Sequence, residues 1–192
     1  MFDLNEKKFG GTVIFNNGQA GVAKGVEISV ERRQADEPET YPNYKLVVSD
    51  GVSKVNQGFY YPKSDPNKSE EQNDQAAVRE VGRVMHIARA VMGANYTFPN
   101  VSSAKEAFDV LFNLIRENAG GKTFNVFTTY GTVGYPDKYL KLRYFNFIEP
   151  SDVAISRLKA TPADLMERLE QDAPASGSSL DTPVTPKVEK WS

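Results

Sequence analysis

GVEISVERR, residues 25–33, decides the fold class. Val26, Ile28 and Val30 alternate with Glu27, Ser29 and Glu31, and residues two apart on a strand share a face, so this is a strand with one side buried and the other wet. Working outward, Tyr44 to Ser49 reads as a second strand closed by the turn Ser49-Asp50-Gly51, and Val55 to Tyr61 as a third, stopped by Pro62. The connection between the first two, QADEPETYPN at 34–43, is polar and carries prolines. Upstream, the glycine-rich run 9–25 contains Asn16-Asn17-Gly18, a strong turn signal that would fold back a short strand from Thr12 to Phe15.

The period then changes. Residues 62–73, PKSDPNKSEEQN, are expected to form a polar, mobile link. Beyond it Ala77, Val81, Val84, Met85, Ala88 and Val91 recur at helical spacing, and Gly93 ends the run. A second helix is predicted from Ser103, with Glu106 three residues on as in a capping box. Its apolar face is Phe108, Leu111, Phe112 and Ile115, and Gly120-Gly121 stops it. Two strands follow, Thr123 to Tyr130 and Lys138 to Ile148, joined by the loop GTVGYPD. Thr161-Pro162 with Asp164 opens a short helix to about Glu170. After Asp172 the chain is dominated by Pro, Ser, Thr and Ala, which cannot bury enough to stay ordered.

The expected class is mainly β (α+β). Strands flanking a helical insert suit an OB-like small antiparallel barrel over residues 1–150, with the insert at 74–118. A C-terminal helical segment (151–172) and a disordered tail (173–192) complete the layout. The alternative is an open antiparallel sheet with helices on one side.

Composition excludes several chemistries. The 192 residues contain no cysteine, which removes disulfides, thiol nucleophiles and Cys-bound zinc. The lone histidine, His86, lies in an apolar helical run and cannot build a His-dependent triad or a multi-His metal site. Gly121-Lys122-Thr123 mimics the end of a phosphate-binding loop, but Arg116 stands where the motif needs its first glycine and a helix precedes it. Gly18, Gly21 and Gly25 lack dinucleotide spacing, and Glu70-Glu71 reads as solvated charge. No enzyme and no cofactor are expected. The N-terminus lacks a signal-peptide layout, and no apolar run approaches the ~18–20 residues of a membrane span, so the expectation is cytoplasmic and without a membrane partner. The Asn-x-Ser/Thr triplets at Asn67, Asn95 and Asn100 then carry no meaning.

Net charge is only −2, but the charges segregate. From Lys122 to Ile148 stand Lys122, Lys138, Lys141 and Arg143 against Asp137 alone; from Glu149 to Asp172 acidic side chains outnumber basic ones six to three. Aromatic residues interleave with bases on the predicted strands: Tyr139, Lys141 and Arg143 on one face of the last, with Leu140, Leu142 and Tyr144 on the other. Phe124, Phe127 and Tyr130 follow Lys122, and Phe59-Tyr60-Tyr61 precedes Lys63, with Lys45 and Lys54 nearby. Aromatic rings can stack bases and basic side chains can neutralise phosphates, which is how single strands are held without sequence preference. Ordinary sheet packing and solvated surface charge is the competing explanation.

The layout resembles the phage-encoded OB-fold single-stranded DNA-binding proteins of replication and recombination cassettes. GVEISVERR, YKLVVSDG, VNQGFYYP, AVREVGRVMHIARAVM, GKTFNVFTTY and YLKLRYFNFIEP carry the resemblance over roughly residues 20–150, with Gly121-Lys122 entering a strand and Glu149-Pro150 leaving the last. It implies non-sequence-specific single-stranded DNA binding. Tyr60, Tyr61, Phe127 and Tyr139 would stack bases; Lys45, Lys54, Lys63, Lys122, Lys141 and Arg143 would hold phosphates. Trp191, near the end of the tail, is the candidate contact for a replication or recombination protein, although the near-neutral tail departs from the acidic tails of many such proteins. A homo-oligomer is a further expected partner. The rival functions are a structural, virion or scaffold protein gripping neighbours through its tail, and an enzyme with a carboxylate-bound metal.

Overall fold

The first strand carries two ladders. In the computed structural model, which describes residues 15–98, 100–130 and 140–165, β1 (Gly21–Arg32) buries Val26, Ile28 and Val30 and exposes Glu27, Ser29 and Glu31. Its first half pairs antiparallel with β4 (Phe124–Tyr130), from Gly21 opposite Thr128 to Val26 opposite Phe124. Its second half pairs with β2 (Tyr44–Ser49), from Glu27 opposite Ser49 to Arg32 opposite Tyr44. The register shifts between Ala23 and Val26, where Gly25 sits at φ +67°, a left-handed conformation that a glycine adopts without steric cost. Such a bulge bends the strand and lets one element serve both neighbours.

The hairpin from β2 to β3 (Lys54–Phe59) turns on Asp50. Its Oδ1 accepts from the backbone N–H of Ser53 at 2.7 Å and Val52 at 3.0 Å, while Gly51 takes φ +87°. Those bonds hold the Asp50 carboxyl below its ordinary range. The expected turn at Asn16-Asn17-Gly18 is also present, both asparagines being left-handed; of the strand expected from Thr12 to Phe15, only Phe15 is described, and it belongs to the 3-10 turn Phe15–Gly18 rather than to a strand.

The first helix starts earlier than its apolar pattern. α1 (Glu70–Met92) is capped by Ser69, whose Oγ accepts from Gln72 N–H at 3.2 Å while Gln72 Oε1 accepts from Ser69 N–H at 3.0 Å. The end of the stretch expected to be a mobile link, and the start of the insert placed at 74, are thus corrected to helix from Glu70, whose capping box lies ahead of the apolar stripe. α2 (Ala104–Asn118) begins as expected at Ser103, but Glu106 turns its carboxylate to Ser102 N–H and Oγ, completing only half a capping box. Phe108, Leu111, Phe112 and Ile115 are all fully buried. Phe112 stacks on Tyr44 with ring centroids 4.4 Å apart and meets Phe59 edge-on at 5.2 Å, fastening the helix to the sheet.

The predicted last strand divides in two. β5 (Leu140–Leu142) and β6 (Ile148–Pro150) both pair antiparallel with β4, at 128–130 and 124–126 respectively. Between them Phe127 receives Arg143 N–H on its carbonyl at 3.0 Å and donates its own N–H to Phe147 O at 2.7 Å. Tyr144, Phe145 and Asn146 are thrown outward in a wide bulge, with Asn146 at φ +46°.

The result is an α+β fold with an open, six-stranded antiparallel sheet: β3-β2-β1-β4-β5 in order, with β6 also on β4. Among the described residues no ladder joins β3 to β5, so the barrel is not closed and the open-sheet alternative describes what is seen. Residues 151–161 lead to α3 (Pro162–Leu165), which starts at the expected proline. Its predicted continuation to 170 and the tail at 173–192 lie outside the described residues. No described helix is long and apolar enough to cross a membrane.

Candidate nucleic-acid interface

Five of the ten predicted nucleic-acid contacts, Lys45, Lys54, Tyr60, Tyr61 and Lys63, lie on or just beyond the β2–β3 hairpin. Lys45, directly opposite Glu31, pairs with its carboxylate at 3.3 Å, so its charge is shared. Lys54 opens β3 and Lys63 follows Pro62; both are exposed, with no ion-pair partner among the described residues. Tyr60 is 51 % exposed just past β3. Its ring edge lies 3.7 Å from where a side chain on Gly58 would begin, and Pro42 stands at 3.0 Å from the same point. Glycine there lets Pro42 and the ring close down on the strand, since a side chain would crowd the proline. Tyr41, 52 % exposed beside Pro42, extends the patch and was not anticipated.

Tyr61 and the other predicted contacts have different work. Tyr61 is half-buried and donates to Asp109 Oδ1 at 2.5 Å, the same oxygen that accepts from Tyr44 OH. Lys105 lies 5.4 Å over the Tyr61 ring, and Phe108 meets it edge-on. Burial and the Asp109 carboxylate push both phenols above their ordinary range, so each stays a donor. Tyr61 therefore ties the sheet to α2, and its role as a free stacking platform is corrected. Lys122 donates from Nζ to Val91 O at 2.7 Å, bonding a carbonyl in the last turn of α1.

Phe127 is fully buried and cannot stack a base. Outward by strand parity, it is covered by Arg143, whose guanidinium carbon stands 4.1 Å from the ring centroid. That guanidinium is consumed internally. It donates to the carbonyls of Phe145 (2.9 Å), Asn146 (2.6 Å) and Lys159 (2.9 Å) and meets Asp164 at 3.3 Å. Arg143 thus fastens residues 159–164 and the bulge to the sheet, a correction to its assignment as a phosphate contact. Lys141 is half-buried in β5 opposite Thr129. Tyr139 and Trp191 lie outside the described residues.

A second basic and aromatic surface went unanticipated. Arg79, Arg83, His86 and Arg89 recur at three and four residues along α1, the spacing of one helix face and the signal that could have revealed it. Facing them is the bulge, whose Tyr144 is 39 % and Phe145 56 % exposed, with ring centroids 4.4 Å apart at 86°. Arg83 lies under Tyr144 at 4.0 Å and over Phe59 at 5.0 Å, and it pairs with Glu80 at 2.9 Å, which also accepts from Tyr144 OH. Beside them a cleft of about 560 Å³ opens between α1 and residues 146–158, and a hollow of about 360 Å³ shares His86, Arg89 and Asn146 with it. Burial lowers the His86 pKa, the nearby Arg89 and Arg157 add to that, and the Ile148 carbonyl and Glu149 oppose it.

Among the described residues no group of three or more His, Asp or Glu side chains is placed to hold a metal ion. No protein-family model, no curated protein and no solved structure matches this chain.

Proposed function

We propose that this protein binds single-stranded DNA without sequence preference, in phage-type replication or recombination, and does so by binding alone, with no catalytic step. The observation that carries this is Tyr60, a ring half open to solvent beside Gly58 and Pro42, with exposed lysines before and after it in the chain. A base stacked on such a ring contributes ~1–3 kcal/mol, and lysines add phosphate neutralisation that asks nothing of sequence. An OB-like barrel would present this surface. It is supported by β1 serving two ladders about a glycine bulge and by β5 lying against β3 at the sheet's open side. The working compartment would be the cytoplasm of a host cell, with Trp191 offered to a replication or recombination protein.

Labelled oligo-dT titrated at low salt tests the function. Binding should be measurable, and Tyr60→Ala should weaken it about tenfold, the loss of one stacked base. No binding at low salt overturns the proposal and leaves the scaffold function as the alternative.

A further inference from the structure

Among the described residues, two buried side-chain nitrogens lack any hydrogen-bond partner: Arg83 Nε and His86 Nε2. Buried polar atoms are satisfied in nearly all cases, so each exception calls for an explanation. Both side chains line the same surface, the cleft between α1 and the bulge: Arg83 and His86 border the smaller hollow, and His86 also borders the larger. Arg83 is itself 91 % buried, being 9 % exposed.

The rest of the lining narrows what would satisfy them. Arg89 and Arg157 border the larger hollow, and both lie close enough to His86 to disfavour its protonation. Arg89 Nε reaches Tyr96 O only at 3.4 Å, and the Arg157 side chain has no hydrogen-bond partner among the described residues. The one carboxylate in the wall is Glu149, which is buried and already accepts from Arg157 N–H at 2.8 Å. Arg89 and Arg157 form no ion pair among the described residues, and guanidinium groups so placed suit a phosphate, which they can grip in bidentate fashion. Phe145, set edge-to-face with Tyr144, supplies an exposed flat surface in the adjoining smaller hollow, which shares His86, Arg89 and Asn146 with the larger one. A hollow of about 560 Å³ is within the range, ~300–1,000 Å³, that takes a small ligand.

We propose that this cleft is a nucleotide subsite, holding the phosphate between Arg89 and Arg157 and the base against Phe145, beside the unpartnered Arg83 and His86. It rests on the single-strand binding proposed for this chain and places part of that strand on the helical side, away from Tyr60. A free mononucleotide and a unit of a strand share the required chemistry.

His86 is the only histidine in the chain, so its two ring C–H protons give NMR signals that report on the cleft without overlap from another imidazole. Adding 5′-dTMP to the full-length protein should shift those signals saturably, and oligo-dT should shift the same resonances. Arg89→Ala with Arg157→Ala should abolish the dTMP shift and weaken oligo-dT about tenfold. Lys54→Ala with Tyr60→Ala should weaken oligo-dT but leave the dTMP shift intact. The cleft proposal is overturned if dTMP leaves His86 unmoved and the arginine pair leaves oligo-dT affinity unchanged, whereas a loss in the Lys54/Tyr60 variant alone would keep the function and discard the subsite. It is equally overturned if inorganic phosphate reproduces the full shift at the same affinity, since the base would then contribute nothing. If oligo-dT fails to bind at low salt while dTMP still shifts His86, strand binding falls and a free-nucleotide site stands.

Discussion

Arg143 shows how far a side chain's neighbours in space can redirect its chemistry. Strand alternation puts it on an outward face with Lys141, which is why it reads as a phosphate contact. Its partners, Lys159 and Asp164, arrive from more than a dozen residues later, and alternation says nothing about them. Removing it leaves three backbone carbonyls without a charged donor, Asp164 without its cation and Phe127 uncovered. Arg143→Ala should lower stability by about 2–4 kcal/mol, read as a fall in the urea midpoint. Lys should rescue little, because one ammonium cannot span a fork of four acceptors. A midpoint within error of wild type would show that the strap holds without it. His86 gives a second test at this scale. Burial lowers its pKa in the fold, so the unfolded chain takes up the proton first as pH falls. Stability contributed by the neutral ring is whole above the ordinary histidine value, ~6.5, and is lost below it until the folded ring also protonates. Urea midpoints of the wild type and His86→Asn should therefore converge as pH drops from about 7 to 5. Parallel profiles would mean that the ring is not held neutral by the fold.

At the scale of elements, legibility tracked how local the cause was. β1, β2, the core of β3, α2 and the body of α1 follow from alternation, helical spacing and caps that lie within a few residues of each other. The first turn of α1 was obscured because its cap, Ser69 with Gln72, sits in a polar stretch that looks like linker until the reciprocal bonds are drawn. Ser69→Ala should cost about 1 kcal/mol, visible as a lower thermal midpoint with the helical signal otherwise retained. The division of the final strand had one faint local mark, Asn146, since Arg143, Tyr144, Phe145 and Phe147 suit a strand and 144–146 are turned out only because Arg143 and Phe147 both bond Phe127. Gly25 is the opposite case: visible as a glycine, but given meaning only by the two ladders it separates. Space around it is open, so Gly25→Ala meets no clash and only the left-handed backbone resists it. A loss of about 1–2 kcal/mol is expected, and an unchanged urea midpoint would show that the bulge can move along β1.

For the molecule as a whole, the candidate surface was legible in kind and scattered in place. Basic and aromatic residues do reach solvent, but of the expected contacts only Lys45, Lys54, Tyr60 and Lys63 remain outward on one hairpin and its exit. Tyr144, Phe145 and the arginines of α1 form a surface that becomes continuous only when the bulge folds against the helix. With 23 basic and 25 acidic side chains, the net field does not attract a polyanion, so any affinity must come from close contacts. At 0.1 M salt charges are screened beyond ~10 Å, which separates these local patches from the acidic remainder. Each neutralised phosphate of a single strand contributes a slope of about −0.7 to the plot of log affinity against log salt. If Lys54, Lys63 and Arg79 each meet a phosphate and Arg89 and Arg157 grip one between them, the slope should be about −2.8, a loss of ~50-fold over a fourfold rise in salt. Replacing Arg89 and Arg157 together should bring the slope to about −2.1, while Tyr60→Ala should lower affinity and leave the slope alone, because stacking releases no counterions. Oligo-dT titrations at four salt concentrations on the three proteins distinguish these outcomes. A slope near zero in the wild type would mean that the exposed cations do not meet phosphate, and the rings alone cannot make a strand-binding protein.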